Sequence, residues 1–342
     1  MINKVVLGRS GLEVSELGVG GIPLTRCGME EARDLLEHCL EKGLNFFDTA
    51  NMYADSEVKM GLALSPVRDR VVIATKTAAR DPETAAAHLA KSLRDLKTDH
   101  IDLYQLHNVS TEEHLEQVLA PGGVYAMVEE AKAEGRIDHI GLTSHNPTVA
   151  LQAIRTGLFE TLQFPFNFVE TEPVEDLFPA ARELGLGLIV MKPLAGGIVD
   201  RADLCFRFLQ DYPDLVPIPG IQAKEEIDQI LGYYQDRRPL NEKERQEIEA
   251  IKAELGDRFC HRCGYCTPCP EGVQIPLVLI FKSFSRRFPP ETVVTMSREW
   301  MESAESCQSC GQCVEGCPYD LPVPEMIQES LDLFQEFRGR HC

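Results

Sequence analysis

The chain has 342 residues, 44% hydrophobic and 26% charged, which fits one large globular domain with a small one, or two of medium size. Its 34 Lys and Arg against 54 Asp and Glu leave a formal net charge of −20, which excludes general nucleic-acid binding and fits a solubilising surface or a docking face for a basic partner. The amino terminus, "MINKVVLGRSGLEV", has no signal-peptide run, and no segment approaches the ~20 apolar residues of a membrane span, so a cytoplasmic chain with no membrane partner is expected.

In chain order, residues 2–16 read as a β-hairpin about Gly11, set to close the floor of a barrel. Eight short apolar runs follow: Leu17–Gly20, Leu44–Phe47, Val71–Ala74, Ile101–Leu106, His139–Leu142, Thr161–Phe164, Leu186–Val190 and Leu215–Ile218. Helical patterns separate them, and a further one follows the last. One helix starts with Asp81 as N-cap, Pro82 at the first helical position and Glu83 behind it. Residues 111–136 read as a helix broken at Pro121-Gly122-Gly123 and resumed. Strands alternating with helices predict parallel pairing through right-handed crossovers. Eight such units in about 235 residues predict an α/β fold, a closed (β/α)8 TIM barrel. The alternative is an open doubly wound sheet, but no GxGxxG follows the first strand, where a dinucleotide-binding sheet would carry it. Residues 241–255 form a late helix, capped by Asn241 with Glu244 three residues on and stopped by Gly256. The domain boundary is placed there, giving a barrel over 1–256 and a small domain over 257–342.

Twelve cysteines in a reducing compartment point to metal rather than disulfides, and eight of them fall in two bursts. The first, "CHRCGYCTPCP", is Cys260-x2-Cys263-x2-Cys266-x2-Cys269-Pro; the second is Cys307-x2-Cys310-x2-Cys313-x3-Cys317-Pro. The second has ferredoxin spacing, in which three cysteines ligate one cluster and the cysteine before proline ligates the other. The first is one residue short in its last gap. Eight thiolates satisfy two 4Fe–4S clusters; the shortened gap leaves a single cluster as one alternative, and structural zinc, four thiolates per ion, is another. Helix-like patterns fill 270–306. Cys27, Cys39 and Cys205 read as packing residues and Cys342 as a loose terminal thiol.

In a barrel the chemistry sits at the carboxyl ends of the strands. Three consecutive strands end in Asp48, Lys76 and His107, and Tyr53 follows Asp48 by five residues. Singly each is more often a capping or solvated residue; together they make a coherent set. Hydride reduction of a carbonyl needs a proton donor at the carbonyl oxygen, and Tyr53 can supply it if its pKa is lowered. An ammonium from Lys76 would lower it, Asp48 can hold that lysine, and His107 can orient the carbonyl.

The run "FFDTANMYADSE", then "ATK", then "DLYQLHN", resembles the aldo-keto reductase family, together with "GRSGLEVSELGVGG", "IDHIGLTSH", "LQFPFN", "MKPLAGG" and "PIPG" over about residues 1–235. The resemblance implies a (β/α)8 barrel, a nicotinamide cofactor, a small carbonyl or alcohol substrate, and the tetrad Asp48, Tyr53, Lys76 and His107. It places nicotinamide near Thr143, Ser144 and Gln163, where the family often has Ser-Asn in place of Thr143-Ser144. It places the pyrophosphate near Lys192, Pro193, Leu194 and Gly196, and the adenosine end near Gly220, Gln222 and on to Gln229. Family members that prefer NADP often carry an arginine where Glu226 stands; "KEEID" at 224–228 would repel a 2′-phosphate, so NAD(H) is favoured over NADP(H). Residues 257–335 resemble the helical ferredoxin modules of respiratory and heterodisulfide-type enzymes. Some aldo-keto reductases carry such a tail, and the chain resembles that subgroup end to end.

A nicotinamide moves two electrons as hydride, whereas an iron–sulfur cluster moves one at a time, so a flavin or another converter is needed between them. No flavin signature is legible. Either a flavin binds without one, or a ferredoxin or flavoprotein partner supplies the step, or the clusters are structural or redox-sensing. The leading expectation is a carbonyl–alcohol oxidoreductase wired to an electron carrier. The competing one is a non-catalytic electron-transfer or redox-sensing protein whose barrel binds a nucleotide or partner.

Overall fold

The computed structural model describes residues 2–341, so Cys342 lies outside the described residues. The hairpin is present: β1 (Lys4–Val6) and β2 (Glu13–Ser15) pair antiparallel. After it come β3 (Val19–Gly20), β4 (Phe46–Asp48), β5 (Val72–Thr77), β6 (Ile101–Leu106), β7 (Ile137–Thr143), β8 (Thr161–Pro165), β9 (Gly187–Met191) and β10 (Leu215–Pro217). Each of the eight expected runs is a strand, and β3 to β10 form one sheet in chain order with every neighbour parallel. β5 and β6 are buried along their whole length, as strands covered on both faces must be.

The sheet curls until its edges meet. Gly18 N–H donates to Pro217 O at 2.9 Å, Gly20 N–H donates to Pro219 O at 2.8 Å, and Gly20 bridges Gly220. This is a barrel, not an open doubly wound sheet. A Cβ on Gly20 would lie 2.9 Å from Ile218 O, so the closure depends on glycine there. The hairpin sits at the amino ends of the strands: Gly8 bridges Leu186 just before β9, and Leu7 and Val14 pack with Phe46, Val72, Leu103 and Val216 inside the barrel. The interior is therefore a packed core rather than a pore.

Local signals placed the helices. Asp81 Oδ1 accepts from Thr84 N–H at 2.8 Å, and the helix runs Pro82–Asp95. The broken pattern gives two helices, Glu112–Leu119 and Val124–Ala133. Asn241 and Glu244 form a capping box ahead of Glu242–Leu255. Cys39 and Cys205 are buried, and burial pushes both thiols up, Cys39 to about 12, so they are packing residues as expected.

The chain divides into two units, one running to Ala195 and again over Val199–Leu240, the other comprising Gly196–Ile198 and the residues from Asn241 on. The helix Glu242–Leu255 thus groups with the cysteine-rich residues. The second unit contains Ile275–Leu279, Phe281–Arg287, Pro290–Ala304 and Val323–His341, around a core that includes Val278, Phe281, Val293, Met301 and Phe334. Among the described residues no helix is long and apolar enough to cross a membrane.

Glu160, just ahead of β8, staples the barrel near its floor. Lys132 Nζ lies 2.5 Å and His139 Nδ1 2.7 Å from its carboxylate, and Ile140 N–H donates to it at 3.1 Å. Partial burial raises the carboxyl's pKa, but the hydrogen bonds from His139, Lys132 and Ile140 outweigh that and hold it at about 2. A folded-state pKa below the ordinary value gives stability that is full above the ordinary value and lost as pH falls toward the folded one. Glu160→Gln is expected to cost ~1–2 kcal/mol at neutral pH. The gap between variant and parent should close as pH falls from 4.5 toward 2, which urea midpoints across that range will check.

Candidate active site and cysteine centre

β4 ends at Asp48, β5 carries Lys76 near its carboxyl end, and His107 follows β6 directly. Lys76 Nζ donates to Asp48 Oδ1 and to Thr49 O, each at 2.6 Å, with both side chains buried. The same Nζ lies 5.7 Å from the centroid of the Tyr53 ring. Tyr53 meets His107 edge-on, with centroids 5.8 Å apart and planes at 82°. The four strand-end residues singled out in the sequence are therefore gathered at one place. Burial pulls the Lys76 ammonium's pKa down and pushes the Asp48 carboxyl's up; their mutual attraction and hydrogen bond work against both shifts.

Three further side chains hold this group. Gln105 Nε2 donates to Asp48 Oδ2 at 3.2 Å and to Gln163 Oε1 at 3.0 Å, so one amide joins β4, β6 and β8. Glu57, buried, accepts from Thr75 Oγ1 at 2.7 Å and adds a second negative charge near Lys76. Arg80 donates from Nη2 to His107 O and Asn108 O, both at 2.9 Å, and from Nη1 to Ala78 O and Ala79 O at 3.1 and 3.2 Å. It thus ties the ends of β5 and β6 together under His107. Gln105 was detectable as a polar residue in an apolar strand, in register with Lys76. Nothing in the sequence singles out Glu57 or Arg80.

Thr143 ends β7, and its Oγ1 accepts from Asn108 N–H at 2.7 Å. Ser144, buried, lies 3.4 Å from Ser110 Oγ and donates to Asn146 O at 3.2 Å. Gln163 lies in β8 with its oxygen taken by Gln105, so its amide N–H2 is what it can offer a ligand. Lys192, Pro193 and Leu194 follow β9, with Lys192 at φ 56° and Ala195 at φ 50°. Gly196, at φ 69°, belongs to the second unit, where its carbonyl accepts from Ser283 Oγ at 2.7 Å. Gly220 takes part in barrel closure. Gln222 lines a cavity with Arg26, Cys27, Glu31, Asp34 and Lys224. Glu226, read as a phosphate-repelling charge, turns its carboxylate onto the N–H groups of Gln222 and Ala223, at 2.7 and 3.2 Å.

In the second unit Cys269, Cys307, Cys310 and Cys313 line one cavity; Cys260, Cys263 and Cys317 line another, and Cys266 borders both. Electrostatics assigns Cys266. Burial, then the neighbouring Cys260, Cys263 and Cys317, push its thiol up to about 12. Cys313, after burial, responds to Cys307, Cys310 and Cys269. Each burst therefore gives three thiols to one cavity and its Cys-Pro thiol to the other. Gly316 permits the crossing, since a Cβ there would lie 2.9 Å from Tyr265 O. Two sets of four soft donors fit the ligand demand of iron–sulfur clusters. No disulfide joins the described cysteines.

Removing one member of the Lys76–Asp48 pair strands the other charge in the barrel. Lys76→Met and Asp48→Leu are each expected to cost about 3–5 kcal/mol, and the double variant less than either. A double-mutant cycle of urea unfolding measures this.

Residues 16–204 match the Aldo/keto reductase family, and residues 259–322 match a 4Fe-4S dicluster domain, which sets iron–sulfur ahead of zinc for the cysteines. The uncharacterized oxidoreductase YqkF of Bacillus subtilis is 31% identical over 219 residues, 59% of this chain and 68% of that protein. Probable aldo-keto reductase 1 of Glycine max is 30% identical over 322 residues, 75% of this chain and 90% of that one. Among solved structures, a putative aldo-keto reductase from Pseudomonas aeruginosa superposes with a TM-score of 0.59 at 28% identity, covering 66% of this chain and 92% of that one. The chain belongs to the aldo/keto reductase family and is an oxidoreductase of that type with a 4Fe-4S domain following its barrel.

Proposed function

We propose that the protein interconverts a small carbonyl compound and its alcohol with a nicotinamide cofactor, and that its cysteine-bound clusters exchange electrons with a partner. The observation that carries the first half is the Lys76 ammonium, held by Asp48 beneath the Tyr53 ring with His107 edge-on to that ring. When bound, the nicotinamide supplies or accepts the hydride. Tyr53 gives its phenolic proton to the carbonyl oxygen, or takes it back in the reverse direction. Lys76 favours the phenolate by its charge, which keeps that proton mobile. Asp48 and Gln105 fix Lys76 and hold its compensating charge inside the barrel. His107, with its backbone anchored by Arg80, orients the carbonyl. Thr143, Ser144 and Gln163 would receive the carboxamide, Lys192 to Gly196 the pyrophosphate, and Gly220 with Gln222 the adenosine.

The cofactor reading favours NAD(H). A 2′-phosphate bound at the start of the helix Lys224–Gln235 would need backbone N–H donors, and Glu226 already occupies those of Gln222 and Ala223. Arg26 and Lys224 share the cavity with Glu31 and Asp34, two charges of each sign. The crosswise cysteine sets support two 4Fe–4S clusters. One-electron clusters paired with a two-electron cofactor call for a converter, a flavin in this chain or in a flavoprotein or ferredoxin-type partner.

Tyr53→Phe should lower nicotinamide-dependent carbonyl turnover by roughly 10²–10⁴-fold while iron content stays at the parent's level. Full activity in that variant would refute the catalytic reading and favour a protein that carries or senses electrons without reducing a carbonyl. Equilibrium titration with NADH and NADPH should show the tighter binding for NADH, and a tenfold preference for NADPH would overturn the assignment.

A further inference from the structure

The two cysteine sets differ in what surrounds them. Both cavities have apolar lining, Leu279, Leu321 and Val323 in that of Cys260, Cys263, Cys266 and Cys317, and Val273, Ile275 and Ile327 in the other, but Cys263 is only 9% exposed. There His261 stacks on Tyr319, with centroids 3.8 Å apart and planes at 5°, so an aromatic pair clasps the first burst to the second. The other set opens outward. Cys310 is exposed, its neighbours Gln308, Ser309 and Gln312 are exposed, and Tyr265, on the same cavity, is 42% exposed.

The charge around the thiols is acidic. No Lys or Arg occurs between Arg262 and Lys282, or between Arg298 and Arg338, and these two stretches contain all four cysteines of the open set and every other burst cysteine but Cys260. The second stretch holds nine Asp and Glu. Glu271 and Glu305 each stand two residues from a cysteine of the open set, Glu315 stands two residues from Cys313 and two from Cys317, and all three are exposed. None of the three enters an ion pair among the described residues, whereas Glu325 and Glu329 are taken up by Arg258.

We infer that the face around Cys310 is the docking surface for a one-electron carrier protein with a basic face. The inference rests on the reading that the cysteine sets hold redox-active clusters, and it names the partner's chemistry and the place where it binds. Cys269, Cys307, Cys310 and Cys313 would hold the cluster, which would exchange one electron with the carrier, one being oxidised as the other is reduced, with no bond or proton moved. Uncompensated carboxylates around the exposed thiol attract a cationic carrier and orient it on encounter.

The test uses the cluster-loaded protein and zinc-substituted cytochrome c, a basic carrier made redox-inert, with affinity read by fluorescence quenching. Binding should weaken steadily with added salt. The triple reversal Glu271→Lys, Glu305→Lys and Glu315→Lys should weaken it about tenfold or more. The same change of charge at the exposed Glu116, Glu129 and Glu130 of the barrel should weaken it far less. Iron content and the low-temperature paramagnetic signal, measured on both variants, should match the parent's. Oxidation of the dithionite-reduced protein by native cytochrome c should slow in the same order. Equal losses from the two triple variants, or an affinity indifferent to salt, would overturn the surface while leaving the cluster reading intact. A purified protein whose cysteines hold no reducible iron would overturn the cluster reading and this surface with it.

Discussion

The ion pair between Lys76 and Asp48 constrains everything around it. A lysine 1% exposed on a central strand of a parallel barrel has no water to solvate it, so its charge must be met by a carboxylate at bonding distance. Asp48 meets it from the neighbouring strand, and Gln105 and then Gln163 extend the contact across β6 and β8. The chain of hydrogen bonds makes the strand register more than a packing matter. A one-residue slip of β5 would turn Lys76 away from Asp48 and leave two charges buried without partners. The pair also fixes what can stand above it. Tyr53 is drawn over the ammonium by its own backbone turn, in which Tyr53 N–H donates to Ala50 O at 2.9 Å, and His107 reaches it from the next strand end.

The barrel was legible because its elements are marked by local chemistry that tertiary contacts did not override. Asp81-Pro82, Pro121-Gly122-Gly123 and Asn241 with Glu244 announce helix ends by capping and by broken periodicity, and each boundary fell where those residues predict. The strand runs were apolar on both faces, which in alternation with helices leaves few topologies open. The groups proposed to react were legible for a related reason. Polar residues closing apolar strands stand out, and the barrel brings consecutive strand ends together. The supporting groups were not legible, because their work is done by backbone carbonyls and by side chains distant in sequence. Nothing around Arg80 says that its guanidinium will gather carbonyls from both the β5 and β6 loops. Glu226 carries a similar lesson. As a bare charge it reads as repulsion of phosphate, but its carboxylate caps a helix, and its proposed bearing on cofactor choice rests on the N–H groups it occupies.

The cysteine region inverts this balance. The spacing of the bursts was clear, but spacing alone leaves open which thiols share a centre, since either burst could close on itself. The crossing of Cys269 and Cys317 between sets depends on Gly316 lying against Tyr265 O and on the stacking of His261 with Tyr319, both contacts between bursts separated by nearly forty residues in the sequence. Neither set can be completed by one burst, so gathering either group of four thiols and packing the chain between the bursts go together, and metal binding by them would be coupled to folding of this unit.

The net charge of −20 acquires meaning only at this level. Spread evenly, it would be a solubility feature and would say nothing of partners. It is not spread evenly around the thiols. Arg258 draws in Glu325 and Glu329, so that acidic charge is locally spent, while the carboxylates beside Cys269, Cys307 and Cys313 face water. The two cysteine sets differ at one member each, Cys263 being buried and Cys310 exposed. On the proposed reading, uncompensated negative charge beside the exposed Cys310 would act as a selector, slowing anionic oxidants and acidic proteins and leaving approach fastest for a cationic carrier.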